Sequence, residues 1–168
     1  MPRLLRCLLL LLLISGLVPS TAVMAEEVLL RLNPGGHTSK IQEVVVTPEG
    51  QVVTASNDKT IRVWEIEQGQ LREQRKLLGQ LGAGSEGMIF ALALSADGSL
   101  LASGGYFRNN EIRLYDFQSG EIKALLKGHE NVLYDLAFSP NGQWLASASV
   151  DETVRIWPIG SGQADAEA

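Results

Sequence analysis

Two sets of side chains in this sequence have the makings of nucleophilic chemistry. His37, Ser56 and Asp58 supply an imidazole, a hydroxyl and a carboxylate, and His129, Ser149 and Asp151 supply the same three in the same order. In a Ser-His-Asp triad the imidazole takes the hydroxyl proton, the carboxylate fixes the ring tautomer, and the activated oxygen attacks. A hydrolase needs such a centre once, whereas here the set occurs twice, each time followed by a tryptophan, Trp64 or Trp157. A device needed once per repeat is structural, so the chain is expected to be no enzyme. The only cysteine, Cys7, excludes a disulfide framework and a Cys-ligated zinc site. Gly79-Gln80-Leu81-Gly82-Ala83-Gly84 lacks the Lys and Ser/Thr of a phosphate-cradling loop. With both histidines in equivalent positions, no cluster is left for a metal, and neither metal nor cofactor is expected.

The elements that must position these residues are short strands. Hydrophobic residues make up 45% and charged residues 20% of the 168, a globular composition, and the net charge of -5 with no Lys/Arg cluster after residue 6 argues against nucleic acid. A motif running from Gly36-His37 through Thr47-Pro48-Glu49-Gly50 to Thr60-Ile61-Arg62-Val63-Trp64 returns from Gly128-His129 through Ser139-Pro140-Asn141-Gly142 to Thr153-Val154-Arg155-Ile156-Trp157. A weaker copy lies between them, with Ser95-Ala96-Asp97-Gly98 and Ile112-Arg113-Leu114-Tyr115-Asp116. Alternation with period two predicts strands over 44–46, 51–55, 60–65 and 71–78, then over 89–94, 99–103, 111–117 and 121–127. Glycine at the tight turns between them supplies positive φ without a Cβ penalty. No long helix is expected.

These residues resemble the WD40 repeat proteins: Gly-His opening a unit, Ser-Pro-x-Gly in its middle, and Ala-Ser-x-Ser-x-Asp-x-Thr-Val-Arg-Ile-Trp closing it. Departures are Glu65 and Pro158 after the tryptophans, and Gly84-Ser85 and Tyr115-Asp116 in the middle copy. The resemblance implies an all-β fold, a partial β-propeller of three WD40 blades, each a four-stranded antiparallel sheet, forming an open arc because propellers close with 4 to 8 blades. It implies a buried hydrogen-bond chain of His37, Asp58 and Trp64 with Thr54 or Ser56, and of His129, Asp151 and Trp157 with Ser147 or Ser149. The middle copy cannot form it. The position five residues after the histidine is implied to sit at the mouth of a central channel, giving Gln42, Phe90 and Tyr134, with the widened hairpin Tyr106, Phe107, Arg108 on the same face. The expected partner is a protein or peptide held there, and the exposed ends of the arc invite self-association or a second protein that closes the ring.

Residues 1–25 read as a secretory signal peptide: Arg3 and Arg6, an apolar run from Cys7 to Val18, and small residues at Val23 and Ala25. That run is short of the roughly 20 residues a membrane-spanning helix needs, so no span is expected after cleavage. The organisation expected is therefore a signal at 1–25, a repeat domain at 26–159 with units of about 36–78, 84–127 and 128–159, and a disordered tail at 160–168. The reading is of an exported bacterial scaffold, periplasmic or secreted; the alternative is a fragment of a larger WD40 protein whose effector domain, such as a caspase-like peptidase, is missing from this chain. Export predicts a mature N-terminus at Glu26, and mass spectrometry of the exported protein finding Met1 in place would overturn it.

Overall fold

The computed structural model describes residues 36–160, so the signal at 1–25 and nearly all of the expected tail lie outside the described residues. Eleven strands follow one another: β1 (Ile41–Val46), β2 (Val52–Ser56), β3 (Thr60–Glu67), β4 (Gln70–Leu78), β5 (Ile89–Leu94), β6 (Leu100–Gly105), β7 (Ile112–Asp116), β8 (Ile122–Leu126), β9 (Leu133–Phe138), β10 (Trp144–Ser149) and β11 (Val154–Pro158). They form three antiparallel meanders, ordered β1-β2-β3-β4, β5-β6-β7-β8 and β9-β10-β11. No helix among the described residues is long and apolar enough to cross a membrane.

Local chemistry sets these boundaries. Gly50, Gly98 and Gly142 take φ of 86°, 72° and 69° in the turns between the first two strands of each sheet, a conformation that costs a side-chain-bearing residue. Strand parity then places Val53, Ile61 and Val63 on one face of the first sheet, where they meet Ile89, Leu92 and Leu101 of the second. The opposite face of the second sheet repeats the contact, with Ile112 and Leu114 against Leu133, Leu136 and Trp157 of the third. Two apolar layers thus join three sheets in a row.

The three sheets are those of the expected partial propeller, with one difference among the described residues. The third sheet has three strands among the described residues where the first two have four, and β11 ends at Pro158. Among the described residues no strand pairs with its outer strand, β11, on the far side.

Candidate functional site

The two histidines sit in loops ahead of β1 and β9 and are buried under the sheets they precede. His37 Nδ1 lies 2.9 Å from Asp58 Oδ2, and Nε2 lies 2.7 Å from Thr54 Oγ1. Trp64 Nε1 donates to that same oxygen at 2.8 Å. In the third sheet the distances are 2.6 Å from His129 to Asp151, 2.7 Å to Ser147 Oγ, and 2.8 Å from Trp157 to Ser147 Oγ. An indole can only donate and a carboxylate can only accept, so each chain runs in one direction: indole N–H to hydroxyl, hydroxyl O–H to Nε2, Nδ1–H to carboxylate. With the ring neutral, this order places its proton on Nδ1. The hydroxyl that a triad would need free is buried and already engaged on both sides.

Ser56 and Ser149 do not belong to these chains. Their hydroxyls donate to the Ser39 and Asn131 carbonyls and accept from the Asp58 and Asp151 N–H groups, which fastens the loop holding the histidine to the turn holding the aspartate. Residues 54 and 56 share a strand face, but 54 lies opposite Arg62, one rung from the indole, and only it can reach both rings. Sequence reasoning missed Thr60 and Thr153. Their hydroxyls bond Asp58 and Asp151 at 2.6 Å each, and threonine two residues after aspartate was the available signal.

The innermost strand of each sheet carries a β-bulge. The register slips between Ile41 and Glu43, between Ile89 and Ala91, and opposite Ala148 and Ser149 on β9, leaving Gln42, Phe90 and Tyr134 as the extra residues. A bulge frees its residue from pairing and re-aims its side chain. Phe90 and Tyr134 stack with ring centroids 5.5 Å apart and planes 11° apart, and Tyr134 remains exposed. Gln42 is half-buried and donates to Asn57 Oδ1 at 2.8 Å.

A model of the family described as WD domain, G-beta repeat matches residues 28–65, 75–116 and 120–158. The chain belongs to the WD40 repeat family. It is 33% identical over 129 residues to the small ribosomal subunit protein RACK1y of Oryza sativa subsp. japonica, covering 75% of this chain and 35% of that protein. It is 31% identical over 130 residues to the guanine nucleotide-binding protein subunit beta of Arabidopsis thaliana (74% and 33%). Against the ribosome biogenesis protein WDR12 homolog of Trichoplax adhaerens it is 31% identical over 129 residues (74% and 28%). The chain therefore spans about a third of the length of the curated relatives it matches.

The expected WD40 hairpin needs one correction. Phe107 is buried, packing with Ile89, Leu101 and Tyr115, and the Arg113 guanidinium lies over its ring at 4.9 Å. Burying an aromatic ring is favourable by a few kcal/mol, so it turned inward and offers no surface to a partner. Tyr106 is exposed, and Arg108 reaches out to Glu86 at 2.9 Å while its N–H is held by Gln80. The middle blade lacks the histidine chain, and its buried Ser103 and Tyr115 hydroxyls have no hydrogen-bond partner.

A cleft of about 640 Å³ between the first two blades is lined by Glu49, Glu65, Asp97 and Asp116. Asp97 and Asp116 serve their own turns. The Ser95 hydroxyl, with the Ser99 N–H and hydroxyl, holds exposed Asp97 down at about 2, and Asp116 is lowered by the Ser119 N–H and hydroxyl and by Lys123. Arg75 is committed to the Phe117 and Gln118 carbonyls.

Burial is the largest effect on Asp58 and raises its pKa, but the Thr60 hydroxyl, the Thr38 N–H and His37 outweigh it and hold the carboxyl below its ordinary value. The same contest leaves Asp151 well below it, through the Thr153 hydroxyl, His129 and the Glu130 N–H. The folded state thus binds fewer protons than the unfolded chain near their unfolded pKa of about 3.9. Stability that is full above that pH is lost as pH falls through the folded values. An Asp58→Asn, Asp151→Asn variant is expected to show a flatter acid limb in unfolding followed by circular dichroism; an unchanged slope would remove this assignment. Asp151→Ala should cost about 1 to 3 kcal/mol by leaving buried His129 without its acceptor. Asp116→Ala should cost less, since Asp116 is partly exposed and bonds only its own turn and Lys123. Comparable denaturant midpoint shifts would contradict the buried chain.

Proposed function

We propose that this WD40 chain is a non-catalytic protein-protein interaction scaffold that acts outside the cytoplasm and grips a protein or peptide at the rim of its inner strands. The observation that carries the reading is the stacked Phe90 and Tyr134 pair on two successive bulges, with Tyr134 exposed. A rigid aromatic pair offers contact area at little entropic cost, and tyrosine and arginine are favoured where partners bind. Exposed Tyr106 and Arg108 extend the same surface. Gln42 supplies an amide at the third rim position. The open ends of the arc supply a second mode, association with another copy or with a protein that closes the ring.

Export rests on the signal-like residues 1–25, and the bacterial origin is part of the same reading. The net charge of -5 argues against a nucleic acid partner. A second reading, that the chain is part of a larger WD40 protein with an effector domain such as a caspase-like peptidase, is favoured by its covering only 35% of its rice relative. The first reading is tested by capturing partners from the native compartment with wild type and with a Phe90→Ala, Tyr134→Ala variant. The variant should stay folded, since Tyr134 is exposed, and should lose its partners. Recovery of the same partners in the same amount would show that the rim is the wrong surface.

A further inference from the structure

The three blades join in one sense only. At each internal joint the face bearing Ile61 or Ile112 covers the face bearing Leu92 or Leu136 of the next blade. Among the described residues one face of each kind is left over. Val154, at the place of Ile61 and Ile112, is 70% exposed where those two are 0%. Val44, paired with Thr54 as Leu92 is with Ser103 and Leu136 with Ser147, is 55% exposed against 4% and 5%. The free face of the third blade therefore fits the kind of surface that the first blade leaves bare.

Charge points to the same mate. Lys59, in the left-handed region at φ 69°, lays its stem against Gly87 and donates to the Gly82 carbonyl of the loop before β5. Glu152 holds the corresponding place in the third blade, at φ 66° directly after the aspartate of the histidine chain. The segment corresponding to Gly87-Met88 ahead of β1 is Ser39-Lys40, with Lys40 exposed. One end of the arc thus carries an acid at the place of Lys59, and the other a base next to the place of Gly87.

We propose that two copies of this chain pack head to tail, the third blade of each on the first blade of the other, closing a six-bladed ring in which Tyr134 of one copy stands beside Gln42 of the next. A head-to-tail contact closes only if its rotation completes a circle, and six blades fall within the range in which propellers close whereas three do not. The inference rests on the scaffold reading and adds the identity of the closing partner.

Sedimentation equilibrium of the full chain tests it. The expected species has twice the mass of the chain. Val44→Asp alone, and Val154→Asp with Ile156→Asp, should each raise the dissociation constant by at least about 100-fold, because each would bury unpaired charge in the joint. Both substitutions fall on side chains exposed in the single chain, so each variant should keep its fold. Glu152→Lys should weaken pairing about tenfold, and adding Lys40→Glu should restore it, as expected for a facing charge pair. A chain that stays single at all concentrations, an open ladder of masses, a dimer indifferent to Val44→Asp, or a charge reversal that fails to restore would each overturn the proposal. A single chain that still captures partners through Phe90 and Tyr134 would remove the ring and leave the scaffold reading standing.

Discussion

A sheet with apolar side chains on both faces is stable only between neighbours. Every blade here is of that kind: strand parity sends one set of aliphatic residues to each side, and neither set can be solvated cheaply. The consecutive order of the sheets, the one-way sense of the joints and the unusual exposure of Val44 and Val154 all follow from this requirement. The middle blade alone has it met on both sides by its own chain.

The buried polar groups obey a second rule, direction. An indole that can only donate and a carboxylate that can only accept fix the proton order through the hydroxyl and imidazole between them. The two blades with an open face each carry this relay. The blade covered on both faces does without it and leaves the Ser103 and Tyr115 hydroxyls unpaired. That blade is also the one packed on both sides, and repeat proteins draw stability from both unit and interface.

Much of this was legible in the sequence. The turn glycines and the period-two alternation placed strands where β1 to β8 stand, and the His, Asp and Trp positions meet as the WD40 resemblance implied. What escaped was finer than residue type. Thr54 and Ser56 present equal hydroxyls on one strand face, and only the cross-strand register decides which reaches the indole. Phe107 sits among Tyr106, Arg108 and two asparagines in a loop that reads as surface, and its burial depends on the first blade packing over it.

The bulges on β1, β5 and β9 have a consequence for how such a protein can change. Gln42, Phe90 and Tyr134 are released from the hydrogen-bond ladder, and one common backbone there holds an amide in the first blade and aromatic rings in the other two. Backbone pairing does not constrain the residue type at these places, and none of the three is fully buried. The rim can therefore drift in chemistry while the scaffold beneath it stays fixed, so that new recognition can arise by single substitutions without a stability toll on the fold.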